Sequence, residues 1–235
     1  MEQYSYLLFG LILLIPWIAA HLARPDLRRE LWISSLATSP LGPFFEYWYH
    51  RDYWNPEVLG PWSVGFEDIL YGFCVGGLGA VSYEIIFNRT REPRYGQRNP
   101  IFFFLAFLFG ALAHVVIIPA GVNSIYVSAA VFVLVTLVML LARPDLLPVA
   151  VTSGLALALI MIASYQIVLL FHETLFADFW RLENLSGVFI LRVPLEEFLW
   201  GFGWGAFIGC AWKFGYGEIC VPRRPAMDNT PERAK

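Results

Sequence analysis

Long apolar segments, each about the length of a membrane-spanning helix, are the feature that most constrains the fold of this chain. A helix needs roughly 20 apolar residues to cross the hydrocarbon core of a bilayer. Hydropathy in windows of that length predicts seven spans, at residues 4–23, 31–49, 64–87, 101–118, 125–142, 147–171 and 188–214. With 58% hydrophobic and 15% charged residues, the composition excludes an ordinary soluble domain. The chain is predicted to be an all-α integral membrane protein with seven transmembrane helices.

The charges between the predicted spans indicate the orientation of the chain. If the N-terminus lies outside, the connections outside carry only two basic residues, Arg51 and Arg181. Those inside carry Arg24, Arg28, Arg29, Arg89, Arg91, Arg94, Arg98, Arg143, Lys213, Arg223, Arg224, Arg233 and Lys235. This asymmetry follows the positive-inside rule and predicts a multi-pass cell-membrane protein with a cytoplasmic C-terminus. Because the basic residues form no single patch, we expect no nucleic-acid partner.

The second predicted span, residues 31–49, is the weakest of the seven. Polar and helix-bending residues interrupt it, namely Ser34, Ser35, Thr38, Ser39, Pro40, Gly42, Pro43 and Glu46. A kinked span that lines a polar cavity has this composition, since irregular backbone inside a membrane must face protein or water. A segment that lies at the membrane interface is the alternative.

Three features of the first half return in the same order in the second half. Leu-Ala-Arg-Pro-Asp-Leu at 22–27 recurs at 141–146, and Asp-Tyr-Trp at 52–54 resembles Asp-Phe-Trp at 178–180. The acidic pair at 67–68 has a counterpart at 196–197. Ordered matches of this kind indicate an internal repeat.

The repeat predicts two parallel three-helix repeats joined by a linker helix. The first repeat is expected at residues 1–90, a basic loop and the linker helix at 91–122, and the second repeat at 123–216. Residues 217–235 are expected to form a polar cytoplasmic tail. Since four spans separate equivalent helices, the two repeats should be related by an axis along the bilayer normal.

The acidic pairs are unusual because a carboxylate at the centre of a membrane costs about 2.5–3.5 kcal/mol on insertion scales. We expect the two pairs to face each other across a central cavity. A second interpretation is that Pro194 and the acidic residues after it begin an ordinary helix. That interpretation would put the pair near the outer interface.

The motif around the second pair resembles a known family. Pro-Leu-Glu-Glu at 194–197 matches the Pro-x-Glu-Glu/Asp motif of the membrane-bound lycopene cyclases, and Gly-Phe-Glu-Asp at 65–68 is its first-half counterpart. The chain resembles the fused form of the heterodimeric type over roughly residues 4–214. The resemblance implies cofactor-independent, acid-catalysed cyclisation of the end groups of lycopene or a related acyclic polyene. The catalytic candidates are Glu196, Glu197, Glu67 and Asp68.

The cyclisation needs a carboxyl group that keeps its proton in the membrane. Burial away from water and a neighbouring carboxylate both favour the protonated form. We hypothesise that Glu196 or Glu197 donates the proton, and that its conjugate base or Glu67/Asp68 takes one back. Arg192, one helical turn before Glu196, would hold Glu196 ionised if that segment is helical, which would leave Glu197 the better donor.

Other side chains are predicted to support this site. Aromatic rings can stabilise a carbocation through their faces, and the candidates for substrate binding are Phe66, Tyr71, Phe198, Trp200, Phe202 and Trp204. The candidates for a supporting role around the acids are Glu46, His50, His172 and Arg192. The four histidines have no paired ligand spacing, so we predict no metal. The expected partners are a lycopene-like polyene and membrane lipids.

Two alternatives to a cyclase remain open on the sequence. A proton-coupled small-molecule transporter with the same repeat plan would also need central carboxylates. A carotenoid hydratase would add water to the same carbocation. The small residues Gly201, Gly205 and Gly209 recur every four positions and predict close helix packing, with a smooth groove for a polyene as the alternative.

Overall fold

A computed structural model describes residues 4–59, 64–96 and 100–223. The protein is mostly helical, at 76%. In chain order the helices are α1 (Ser5–Ala23), α2 (Arg28–Thr38), α3 (Leu41–Asp52), α4 (Phe66–Ile86), α5 (Pro100–Ile117), α6 (Ser124–Ala142), α7 (Leu147–Val168), α8 (Leu175–Phe179) and α9 (Leu195–Tyr216). The strands are β1 (Arg89–Pro93), β2 (Phe189–Ile190), β3 (Val193–Pro194) and β4 (Glu218–Pro222).

In the described residues, five helices are long and apolar enough to cross a membrane. They are α1, α4, α5, α6 and α7, where α5 and α7 are each extended by a short 3₁₀ turn. These helices correspond to the first, third, fourth, fifth and sixth predicted spans. Together with the apolar composition they indicate a membrane protein.

The second predicted span is two helices rather than one. α2 ends at Thr38 and α3 begins at Leu41, so the helix is interrupted at Ser39 and Pro40. Proline has no N–H to continue the helical ladder, and its ring clashes with the preceding turn. The Thr38 hydroxyl donates a 2.8 Å hydrogen bond to the carbonyl of Gly72, which fixes the break against α4. With 11 and 12 residues, α2 and α3 are each too short to cross a membrane alone.

The last predicted span also begins later than expected. The helix α9 starts at Leu195 rather than at residue 188, because β2 and β3 form a hairpin before it. Leu191 and Arg192 form the turn of this hairpin, with φ of 50° and 67°. Arg192 is therefore outside the helix, and the predicted pairing with Glu196 does not form. The acidic pair instead occupies the first turn of α9, as the second interpretation of the motif predicted.

Strands β1 and β4 follow α4 and α9 directly and pair antiparallel, with Arg89 opposite Pro222 and Pro93 opposite Glu218. The beginning of the segment predicted as a polar tail is thus a strand that binds the first half of the chain. The rest of that predicted tail, residues 224–235, lies outside the described residues.

A cluster of buried charges lies beside this sheet and joins α9 to the first half of the chain. The Nζ of Lys213, which is fully buried, lies 2.6 Å from Oε1 of Glu84 in α4 and 3.2 Å from Oε1 of Glu30 in α2. Arg91 in β1 adds a second cation, with Nη1 at 2.9 Å from Oε2 of Glu30. Lys213, predicted as one of the inside charges of the last span, therefore forms part of an ionic core.

The two copies of the Leu-Ala-Arg-Pro-Asp-Leu segment adopt the same local structure. Arg24 binds Asp26 through two hydrogen bonds of 3.0 and 2.8 Å, and Arg143 binds Asp145 through two of 2.8 and 2.6 Å. Each arginine ends a helix and precedes a 3₁₀ turn at Pro-Asp-Leu.

The spaced glycines of α9, Gly201, Gly205 and Gly209, lie against α7, as the small-residue spacing predicted. A Cβ at Gly205 would lie 2.5 Å from the carbonyl oxygen of Ser153 and 3.0 Å from the Cα of Gly154. Contact this close is typical of small-residue faces in membrane helices. A Cβ at Gly203, two residues away, would meet Phe132 at an ordinary 3.4 Å.

We predict that Gly205→Ala lowers the free energy of unfolding by about 1–3 kcal/mol, because the added methyl group overlaps the α7 backbone. Gly203→Ala, the matched control, should unfold at the wild-type temperature or slightly above it. Thermal unfolding of both variants in the same detergent measures the difference. Equal melting temperatures would contradict the described α7–α9 packing.

Candidate active site

The two acidic pairs begin two neighbouring helices, and all four carboxyl groups are buried. Glu67 and Asp68 lie in the first turn of α4, and Glu196 and Glu197 lie in the first turn of α9. The exposed fraction of these residues is between 1% and 5%. The first and second members of each pair have different surroundings.

The first member of each pair holds the loop that precedes its helix. Glu67 accepts a 2.9 Å hydrogen bond from the backbone N–H of Leu59, and Glu196 accepts one of 2.8 Å from that of Ser186. Glu196 also accepts a 2.6 Å bond from the hydroxyl of Tyr126. These carboxylates act locally as anchors for the two loops.

The second members of the two pairs differ: Glu197 faces the interior of the bundle, whereas Asp68 also holds the loop before α4, because it accepts a 2.7 Å bond from the backbone N–H of Gly65. The Tyr165 hydroxyl donates a 2.7 Å bond to Oε2 of Glu197, and the Trp180 indole donates a 2.9 Å bond to Oε1. The hydroxyl of Tyr53 donates to the same Oε1. Asp68 accepts a 2.8 Å bond from Tyr6. No lysine, arginine or histidine of the described residues is paired with Glu197, which is surrounded by neutral donors.

A third carboxyl group, Glu46, approaches the same interior from α3. It is 2% exposed, its Oε1 lies 2.6 Å from Nδ1 of His50, and its Oε2 accepts a 2.9 Å bond from the Trp54 indole. Glu46 lies on α3, the helix that begins after the interruption at Ser39 and Pro40. Glu46 and His50 were predicted only to support the paired acids.

One cavity connects these groups. It comprises about 550 Å³ of non-atom space, part of it open to solvent, between α1, α3, α4, α7 and α9. Two carboxylic acids line it, Glu46 and Glu197. Asp68 lies behind Tyr6, and Glu67 and Glu196 face their loops, so these three predicted catalytic residues are not among those that line the cavity.

Aromatic rings form most of the remaining wall. Tyr71 and Trp200 have ring centroids 5.6 Å apart, and Trp200 stacks on Trp204 at 6.0 Å, so three of the predicted substrate-binding residues line the cavity. The other three do not. The side chain of Phe66 is 61% exposed, and Phe198 and Phe202 stack on each other along α9 outside the cavity.

The remaining supporting residues lie elsewhere. The ring of His172 lies 2.9 Å from the Ser5 hydroxyl and 2.7 Å from the carboxylate of Asp178. Hydrogen bonds from Thr174 and then His172 hold the pKa of Asp178 below its usual value. The side chain of Arg192 lies on Glu173, with Nη2 at 3.1 Å from the backbone oxygen. Both residues belong to the loop structure near the site and contact none of the four paired acids.

The sequence analysis did not identify several residues that bind the acids, namely Tyr6, Tyr53, Trp54, Tyr165 and Trp180. A signal for two of them was present. The Asp-Tyr-Trp and Asp-Phe-Trp copies end in Trp54 and Trp180, whose backbones pair as an isolated antiparallel bridge and whose indoles bind Glu46 and Glu197. In the described residues no three His, Cys, Asp or Glu side chains group in a way that could hold a metal ion.

Comparison with known proteins gives a family-model match to part of the second half of the chain. Residues 123–214 match the family model described as lycopene cyclase. The matched range runs from the N-cap of α6 into α9 and includes the Pro-Leu-Glu-Glu motif. No curated protein and no solved structure matches the chain.

Proposed function

We propose that this chain, which carries a lycopene cyclase family domain over residues 123–214, is a membrane enzyme that closes rings at the ends of lycopene or a related acyclic polyene. The domain supports carotenoid cyclisation in general. The observation that carries the proposed reaction is the cavity in which the buried carboxyl group of Glu197 meets a wall of aromatic rings.

In this proposal Glu197 is the general acid. Its carboxyl group is buried, and no lysine, arginine or histidine of the described residues is paired with it, so burial favours the form that holds a proton. The three hydrogen bonds donated by Tyr53, Tyr165 and Trp180 act in the opposite direction and favour the carboxylate. The proton passes to the terminal double bond of the polyene, and a tertiary carbocation forms at the neighbouring carbon. Tyr71, Trp200 and Trp204 line the cavity, and the faces of aromatic rings can stabilise such a cation.

The second carboxyl group of the cavity, Glu46, is the proposed base. A second double bond attacks the cation and forms the ring bond, and loss of a proton from the new ring restores a double bond. No electrons are gained or lost, so the reaction as proposed uses no cofactor. Nδ1 of the His50 ring lies 2.6 Å from Oε1 of Glu46. A protonated His50 ring can keep Glu46 ionised, and a neutral ring can accept the proton that Glu46 has taken from the substrate.

We predict that Glu46→Gln lowers the turnover of lycopene about 100-fold, within the range of general acid–base contributions. Glu57→Gln, an exposed acid on the following loop, should retain wild-type turnover. Product formed per inserted protein, measured by pigment chromatography, gives both values. A drop of less than about tenfold for Glu46→Gln would mean that the carboxylate of Glu197 takes the proton itself.

The proposal includes a membrane arrangement. We propose that α1, the pair α2–α3, and α4 form one repeat, that α6, α7 and α9 form the second, and that α5 links them, with the N-terminus outside. The matching Arg-Asp turns and the matching roles of the acidic pairs support this arrangement. It corresponds to the domain boundaries of residues 1–90, 91–122, 123–216 and 217–235.

Expression in a host that accumulates lycopene tests the function directly. Cyclic carotenoids should appear with the wild-type chain, and the pigment profile also reports whether β, ε or γ rings form. Unchanged lycopene beside a well-expressed, correctly inserted protein would contradict the proposal. Proton-linked flux in vesicles would then test the transporter alternative.

A further inference from the structure

We infer that an apolar groove along α5 holds the body of the polyene while its end group occupies the acidic cavity. This inference rests on the proposed function. The groove encloses about 1000 Å³ of non-atom space between α5 on one side and α3, α6 and α9 on the other. Nothing in the family match assigns a role to α5, which lies outside residues 123–214.

The groove and the acidic cavity are adjacent. Thr38, Leu41, Phe45 and Trp204 line both spaces. In this inference the polyene passes between these four side chains, with one end in the cavity and the rest of its length in the groove. Along α5 the groove extends from Phe103 to His114, about 16 Å at the helical rise of 1.5 Å per residue.

The walls of the groove suit a hydrocarbon. Small residues of α5, Ala106, Gly110 and Ala111, create the hollow, and the opposite walls are mainly aromatic and aliphatic. Two of the polar side chains of the lining, His114 and Thr38, are already hydrogen-bonded within the protein. The ring nitrogens of His114 bind the Gly110 carbonyl at 2.7 Å and the Ser128 hydroxyl at 2.8 Å, and the Thr38 hydroxyl binds the Gly72 carbonyl at 2.8 Å.

One polar group at the junction is left without a partner. In the part of the chain that the structure describes, the buried indole N–H of Trp204 has no hydrogen-bond acceptor. An N–H group can donate weakly to a π system, so a conjugated chain that passes Trp204 would supply the missing acceptor. A saturated acyl chain would not. This difference favours a polyene over a lipid tail as the occupant.

Filling the groove tests the inference. Ala111→Phe adds a ring to the lining, whereas Leu112→Phe changes the neighbouring residue, which is 54% exposed on the outer face of α5. Both variants are assayed with lycopene and with a shortened acyclic polyene that has the same end group. We expect Ala111→Phe to lose at least about tenfold in lycopene conversion, because one overpacked ring costs a few kcal/mol. Conversion of the short polyene by this variant, and both conversions by Leu112→Phe, should stay at wild-type levels.

Binding in a chain that carries Glu197→Gln gives a readout without turnover. After purification, Ala111→Phe in this background should carry at least about tenfold less bound lycopene than Glu197→Gln alone. The two proteins should carry equal amounts of the short polyene. Equal losses for both polyenes, or no loss for either, would overturn the inference. Loss of bound phospholipid with unchanged lycopene would also overturn it, since the groove would then be a lipid site. If the wild-type chain cyclises neither polyene, the proposed function fails instead.

Discussion

Glu197→Gln should abolish ring formation, with a loss of about 10²–10⁴-fold, because glutamine preserves the size of the side chain but has no acidic proton to donate. The amide oxygen can still accept one of the bonds from Tyr53, Tyr165 and Trp180, so the fold should survive. Turnover of lycopene by purified protein, alongside its melting temperature, separates lost chemistry from lost structure.

Glu196→Gln is the matched control for this prediction. Its carbonyl oxygen can keep the 2.8 Å bond from the Ser186 N–H and the 2.6 Å bond from Tyr126, so the loop should stay in place. We expect the loss of turnover to be less than about tenfold. An equal loss for the two variants, or a wild-type rate for Glu197→Gln, would refute the assignment of the acid.

Lys213→Met should cause the largest loss of stability, about 3–5 kcal/mol, because it leaves the carboxylates of Glu30 and Glu84 buried without their shared cation. Of these two carboxylates Arg91 contacts Glu30, and the same guanidinium is shared with Glu218. Thermal unfolding in detergent measures the change. Adding Glu84→Gln should recover part of the loss, since it removes one of the unpaired charges.

A surface pair at the same end of the bundle gives the comparison for Lys213. Arg223 has a side chain that is 43% exposed, and its Nη2 lies 4.0 Å from Asp26. Exposed pairs of this kind contribute about 0–1 kcal/mol, so Arg223→Met should unfold close to the wild-type temperature. If the two variants unfold alike, the ionic core around Lys213 does not stabilise the fold as described.

Much of the fold could be predicted because membranes require long apolar helices. The predicted spans at 4–23, 64–87, 101–118, 125–142 and 147–171 correspond to α1, α4, α5, α6 and α7. Hydropathy could not locate the start of α9, because the apolar residues 188–190 suit a strand as well as a helix. The polar residues around Pro40 indicated a kink but not two separate helices.

The site was predictable only in part, because side chains that converge in space come from distant positions. The acidic pairs were visible as charges in apolar sequence, and their copies matched. Which of the four acids faces the cavity depends on where each helix starts, which a hydropathy window does not resolve. Tyr6, Tyr53 and Tyr165 lie on α1, after α3 and on α7, and tyrosines at such positions are equally compatible with ordinary packing.

The two consecutive acids that begin α9 have separate contacts and so can have separate roles. Neighbouring residues on a helix point about 100° apart, so one side chain can fasten the entering loop while the next is directed inward. Glu196 makes the loop bond, and Glu197 accepts its bonds from the aromatic interior. An aspartate at position 196 would be one methylene shorter, so it could bond the Ser186 N–H only if the loop or the start of the helix moved.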